Sequence, residues 1–305
     1  MRSLLDVLGE NRGGRVVLTD SGLGGLSICA GLESRLRGIR GGRTIDLVYV
    51  NAWPDDAHGY NDLPDAASRA AVLDRALAAM SRYRPDLIVI ACNTLSVLYE
   101  RTAFARSPIV PVAGIVDEGV HLFGRALESD PRASLVIFGT KTTIESGEHV
   151  CRLVRLGLDD RRIRAAACPG LAGAIDKDPD SPALAGLVDA CVSQALAGTV
   201  IEGPLFAGLA CTHYAYVAGL FRWSLGRFAG AGVEVLDPNE RLVEALAAGM
   251  QGSVADTGAM AITVEVVSKV ALPEAQRRAV ARRLEPVSPA TARALTDYTH
   301  IPTLF

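Results

Sequence analysis

At 305 residues, 49% of them hydrophobic and 21% charged, the chain has the length and balance of two globular domains of roughly 100–150 residues each, which sets wholesale disorder aside. Thirty-one basic residues against 34 acidic ones give a net charge of −3 with no clustered basic stripe, so no nucleic-acid partner is expected. The N-terminal segment carries Asp6 and Glu10, and no run approaches the roughly 18 apolar residues of a membrane span, so no membrane partner is expected and the cytoplasm is the expected location.

Short apolar runs at Arg15–Thr19, Ile45–Val50, Leu87–Ala91, Leu135–Phe138 and Phe206–Ala210 predict buried strands. Between and after them, apolar residues recur at three- and four-residue steps over Leu63–Tyr83, Glu118–Glu128, Ser146–Leu156, Pro182–Leu196 and Pro273–Leu284, which predicts helices. The alternation reads as α/β with mainly parallel strands. Strand-like segments recur at Gly232–Leu236 and Ala261–Val267, late enough to return to the first half. The expected division is residues 1–115 plus 230–305 as one α/β domain and 116–229 as the other.

An internal near-repeat supports two similar halves. Pro85-Asp-Leu-Ile-Val-Ile-Ala-Cys92-Asn-Thr aligns with Pro204-Leu-Phe-Ala-Gly-Leu-Ala-Cys211-Thr-His, an offset of 119 residues (85 to 204). The same offset aligns Val16-Val-Leu-Thr-Asp20-Ser-Gly with Leu135-Val-Ile-Phe-Gly139-Thr-Lys. Each half thus ends a strand in a cysteine at the carboxyl edge, where open α/β sheets bind ligands. If the halves are related by a pseudo-two-fold and face each other across a cleft, the two thiols face each other.

Asp20-Ser-Gly-Leu-Gly-Gly25 lies between a strand and a helix, where glycines let backbone N–H groups approach an anion such as a substrate carboxylate. As a dinucleotide fingerprint it fails, because the glycine spacing is wrong and Tyr49-Val50-Asn51 stands where an acidic residue is needed. The six cysteines, at 29, 92, 151, 168, 191 and 211, show no CxxC spacing, so reduced thiols are expected rather than disulfides or a zinc ribbon. Cys29, Cys151, Cys168 and Cys191 read as ordinary small apolar residues, and His58, His121, His149 and His300 as ordinary core or surface histidines. Cys92 and Cys211 differ, since each follows an apolar strand and precedes polar residues, Asn93-Thr94 or Thr212-His213, that belong at a wet edge.

Two thiols across a pocket suit removal of a proton from one face of a tetrahedral carbon and delivery to the other, with Asp20 and His213 setting which thiol is charged. The pocket must also stabilise the charge that develops beside a carboxylate, a task for N–H and hydroxyl donors. Two other readings remain open: Cys211 as a covalent nucleophile with His213 as base, disfavoured if residues two apart on an extended loop diverge, and a structural zinc site at Cys92, Cys211 and His213.

Asp20-Ser-Gly-Leu-Gly-Gly, Ala91-Cys-Asn-Thr94 and Ala210-Cys-Thr-His-Tyr214 resemble the signature segments of the cofactor-independent aspartate/glutamate racemases, the glutamate enzymes most closely. Pro111–Val116, Phe138–Ser146, Ala167–Pro169 and Asp237-Pro238 are also similar, so the resemblance spans nearly residues 15 to 285. It implies Cys92 and Cys211 as proton-transfer residues, Asp20 and His213 assisting them, and Ser21, Asn93, Thr94 and Thr212 holding a small amino-acid or carboxylate substrate. It further implies an isomerase with no cofactor, neither pyridoxal phosphate nor metal, a homodimer, and a place in cell-wall precursor supply. Aspartate, a hydantoin or another small acid is the alternative substrate, and an inactive ligand-binding homologue the alternative class. The chain departs from the family at Asn51–Tyr60, where the glutamate enzymes have an aspartate and a proline-tyrosine-glycine segment, and at Asp117-Glu118.

Overall fold

Consecutive residues of a strand point to opposite faces of its sheet, and in the first strand, β1 (Gly13–Asp20), both faces are apolar: Val16, Val17 and Leu18 are all fully buried. The computed structural model describes residues 13–39, 42, 44–199, 201–229, 232–250 and 258–305. The N-terminal segment with Asp6 and Glu10 lies outside the described residues. In chain order the strands are β1 (Gly13–Asp20), β2 (Thr44–Asn51), β3 (Leu87–Ile90), β4 (Val112–Gly114), β5 (Ser134–Gly139), β6 (Ile163–Ala167), β7 (Leu205–Ala210), β8 (Val233–Leu236), β9 (Ala261–Ser268) and β10 (Thr299–His300). They form two sheets, β10-β9-β2-β1-β3-β4 and β6-β5-β7-β8, with every pairing parallel. The chain is therefore an α/β protein with two parallel sheets.

The repeat is written into the pairing. Val16 of β1 stands opposite Leu87 of β3, and Leu135 of β5 stands opposite Phe206 of β7, so one offset of 119 residues carries both members of the pair. Each sheet is covered on both faces. Helices Leu26–Arg37 and Pro238–Met250 pack on the side of Val16 and Leu18, and helices Ala66–Met80 and Asn93–Tyr99 on the side of Val17. Around the second sheet, helices Ala183–Leu196 and Ala218–Ala229 lie on one face and Ile115–Glu128 and Glu148–Arg155 on the other.

Local chemistry trims the predicted helices. The helix expected over Leu63–Tyr83 starts at Ala66, because Asp65 caps it by accepting the Ser68 N–H at 2.7 Å. It ends at Met80 in a short 3₁₀ turn closed by Arg84 at φ 50°, just before Pro85. The helix expected over Ser146–Leu156 covers Glu148–Arg155, since Gly147 at φ 64° separates it from the preceding helix Lys141–Glu145. β6 carries no apolar run and was not expected; it is an edge strand whose Arg164 and Ala165 are exposed. Among the described residues no helix is long and apolar enough to cross a membrane.

Gly208 marks where β7 meets its covering helix: a β-carbon there would lie 2.6 Å from the Phe123 ring, which is fully buried. Gly208→Ala should cost about 1–3 kcal/mol by forcing that ring out of place, read as a lower urea midpoint with an unchanged slope. An unshifted midpoint would show that the ring has room to move.

Candidate active site

Because both sheets are parallel, strand ends of like kind gather at one edge, and the carboxyl edges of the two sheets bound a cavity of about 360 Å³. All eight residues singled out in the sequence line it: Asp20, Ser21, Cys92, Asn93, Thr94, Cys211, Thr212 and His213. Asp20 ends β1, Cys92 follows β3 with extended backbone and opens the helix Asn93–Tyr99, and Cys211 follows β7.

The two thiols have different neighbours. Cys92 Sγ lies 3.2 Å from Ser21 Oγ. Burial pushes the Cys92 thiol well above its ordinary pKa, and the Asp20 charge adds to the rise against the Ser21 contact. Cys211 Sγ lies 3.8 Å from His213 Nδ1, and His213 Nε2 lies 2.7 Å from Asp176 Oδ1. The expectation that residues two apart would diverge is corrected here. Beyond Cys211 the chain turns at once into a 3₁₀ helix, Thr212–Val217, which swings the imidazole back to the thiol.

Burial opposes a positive charge on His213, yet the hydrogen bonds and charges of Asp176 and Cys211 outweigh it, and its pKa is raised well above the ordinary value. The Gly24 N–H lies 3.1 Å from the same Nε2 that faces Asp176. A protonated Nε2 donates to Asp176 and has no lone pair for Gly24, so in the charged state the Asp176 contact is the hydrogen bond.

The glycine loop has another use than the one expected. The Leu23 N–H donates to Asp176 Oδ1 at 2.9 Å, the Gly24 N–H faces His213, and neither residue lines the cavity. A β-carbon on Gly24 would lie 2.7 Å from the His213 backbone nitrogen and closer still to Thr212 Oγ1. The glycines thus allow the two halves to touch rather than cradle an anion. At that contact Thr212 Oγ1 donates to Asp20 Oδ2 at 2.7 Å, and Asn239 Nδ2 donates to the Thr212 carbonyl at 3.0 Å.

Other lining residues escaped the sequence reading. Thr140 Oγ1 lies 2.8 Å from Thr94 Oγ1, and the repeat could have found it, since Thr140 occupies the place of Ser21 at the 119-residue offset. Trp53 and Tyr60 fall in the segment Asn51–Tyr60 where the chain departs from the family, whereas Asp176, Asn61 and Asp62 carried no signal. Cys168, read as an ordinary core thiol, is buried as expected but also lines the cavity. Asn93 Oδ1 is met by the buried His149 at 3.2 Å, whose pKa burial lowers to about 4. Three buried polar atoms of lining residues have no partner among the described residues: Asp20 Oδ1, Asn93 Nδ2 and the Tyr60 hydroxyl. Among the described residues no three His, Cys, Asp or Glu side chains are grouped to hold a metal ion, and this includes Cys92, Cys211 and His213.

The model of the Asp/Glu/Hydantoin racemase family matches residues 22–246. The chain belongs to that family. It is an isomerase by membership, and the two cysteine segments at the cavity fall inside the matched region. A glutamate racemase of Aquifex pyrophilus is 27% identical over 239 residues, covering 75% of this chain and 80% of that protein. Another, from Syntrophus aciditrophicus, is 26% identical over 234 residues, covering 75% and 77%. The fold is shared with the crystal structure of a Bacillus anthracis glutamate racemase at a TM-score of 0.65, with 19% identity over 90% of this chain and 94% of that one.

In this racemase-family site the raised pKa of His213 has a stability consequence with a definite sign. The stabilisation from its protonated form is fully present below the unfolded value near 6.5 and is lost as pH rises through the higher folded value. Above neutrality the native chain should therefore lose urea resistance more steeply than His213→Gln does. Parallel curves for the two proteins would contradict the charge assigned to His213.

Proposed function

We propose that the chain interconverts L- and D-glutamate by a cofactor-independent, two-base proton transfer at Cα. The observation that carries this reading is that Cys92 and Cys211 line one cavity, hold equivalent places in the repeat, and have unlike proton partners. Cys92, kept protonated by burial beside Asp20, is the resting acid. Cys211 is the thiol that faces the charged His213 imidazole, itself held by Asp176, so the sulfur has a cationic partner once its proton is gone. Removal of the Cα proton by one sulfur and donation by the other inverts the centre, and the reverse reaction exchanges their roles.

The unpartnered atoms match the substrate's charges. Asp20 Oδ1 is a buried acceptor suited to an ammonium group, and Asn93 Nδ2 a buried donor suited to a carboxylate. Ser21, Thr94 and Thr212 add hydroxyls at the same cavity, where donors aimed at developing charge supply most of the catalysis. The cavity's 360 Å³ suits a small amino acid. Glutamate is favoured because the similar curated proteins are glutamate racemases.

A second substrate reading keeps aspartate and hydantoins, because Trp53, Gly59 and Tyr60, from the segment that departs from the glutamate enzymes, line the cavity. The same proposal takes two domains, one on each sheet, but corrects the expected boundary at residue 230: β8 (Val233–Leu236), expected to return to the first half, pairs with β7 in the second sheet, so the return to the first domain comes after it. A homodimer in the cytoplasm belongs to it as well, on the strength of the resemblance.

The reading is tested by incubating the protein with each enantiomer of glutamate and aspartate in heavy water and following α-deuterium by NMR. Glutamate should exchange from both enantiomers, and exchange of aspartate alone would move the substrate to the second reading. Silence from all four acids would end racemisation of either. Cys92→Ser and Cys211→Ser should each cut racemisation by about 10²–10⁴-fold, and full turnover in either would remove the two-thiol mechanism.

A further inference from the structure

The helix Glu274–Leu284 lies beyond residue 246, where the family match ends, yet it reaches the carboxylate behind His213. Its Val280 and Leu284 belong to the core of the first sheet. On its other side, Gln276 Nε2 donates to Asp176 Oδ2 at 2.6 Å, and Arg282 and Arg283 meet Asp180 at 3.7 and 2.6 Å. The helix thus ties the first half to the segment that carries Asp176.

A short carboxylate turns about its last bond unless both oxygens are held. Asp176 Oδ1 accepts from the Leu23 N–H at 2.9 Å and from His213 Nε2 at 2.7 Å, and Oδ2 accepts from Gln276. The choice of a neutral amide matters. An arginine or lysine would compete with His213 for the carboxylate charge, whereas an amide fixes its direction without supplying a rival cation.

We infer that Gln276 is a positioning residue for proton transfer: its side-chain amide holds Asp176 so that the opposite carboxylate oxygen keeps the His213 imidazole aligned beside Cys211. The kinetic part of this inference rests on the two-thiol reading, and the geometric part does not. The titratable groups around His213 are Asp176 on helix Leu171–Lys177 and Cys211 at the end of β7, with Asp20 at the end of β1 reached through the Thr212 hydroxyl. Tyr216, in the same 3₁₀ segment, is a further buried titratable neighbour of Asp176 and Asp20.

The test reads His213 itself by ¹⁵N NMR of histidine-labelled protein, its signal assigned by loss in His213→Gln. In Gln276→Leu and Gln276→Met the His213 pKa should fall by about one unit, the order expected for losing one hydrogen bond to a charged group. The high-pH limb of kcat for α-proton exchange should move down with it while KM stays nearly constant. Arg283→Leu removes a tie from the same helix without touching Asp176 and should leave the titration where it was. An unshifted His213 in both Gln276 variants, or an equal shift in Arg283→Leu, would overturn the inference. If the unaltered protein exchanges no α-proton, the racemase reading fails alone and the titration still decides the role of Gln276.

Discussion

The hydrogen bond from Thr212 Oγ1 to Asp20 Oδ2 joins residues 192 positions apart, and the site depends on it. Asp20 is fully buried and Thr212 nearly so. A carboxylate in that position is tolerable only with partners, because losing the solvation of an ion costs several kcal/mol. The constraint spreads outward from there. To bring the Thr212 turn against β1 the loop after Asp20 needs Gly24, where any side chain would meet Thr212 and His213. The same approach lets the Leu23 N–H reach Asp176, so one contact between the halves aligns the carboxylate, the imidazole and both cysteine-bearing strand ends.

The repeat duplicates backbone and thiol but divides the acid–base groups between the halves. At the offset of 119 residues Cys92 matches Cys211, while Asp20 matches Gly139 and His213 matches Thr94. Each half therefore brings one ionisable partner that the other lacks. A cavity built symmetrically would give both thiols the same environment and no preferred resting direction for the proton. Here burial and a neighbouring carboxylate keep Cys92 protonated, and a histidine backed by Asp176 stands beside Cys211.

What was legible in the sequence follows from this duplication. Buried parallel strands advertise themselves as apolar runs, so β1, β2, β3, β5 and β7 are legible; the offset marks the two cysteines as equivalent, and the family resemblance adds the substrate-holding residues around them. β6 stayed hidden because an edge strand of alanines with an exposed arginine has no hydrophobic signature. Asp176 stayed hidden because its role is tertiary: it lies on a helix 37 residues before His213, and nothing in its own segment marks it. The glycine loop was misread because glycine serves two ends, exposing N–H groups to an anion or letting two backbones approach, and a sequence does not say which. The contact between Cys211 and His213 fits the assisting role expected of His213; only the divergence expected of an extended loop fails, because a 3₁₀ turn follows Cys211.

The segment Asn51–Tyr60, where the chain departs from the glutamate enzymes, is held from the other end of the chain. Asn51 Nδ2 donates to Ser268 Oγ at 3.1 Å, and Lys269 Nζ donates to the Pro54 carbonyl at 2.7 Å while lying 4.4 Å from the Phe305 ring centre. Within the segment, Trp53 packs on Gly59 so closely that a β-carbon there would lie 2.9 Å from its ring. Trp53 and Gly59 line the cavity, so the wall that differs from the family is braced by residues from 268 onward, past the end of the family match at 246. The His213 and Asp176 pair behind Cys211 receives Gln276 from that same stretch. Both sides of the cavity thus lean on one C-terminal segment, and a change there acts on the substrate wall and on the His213 and Asp176 pair together although it touches neither thiol.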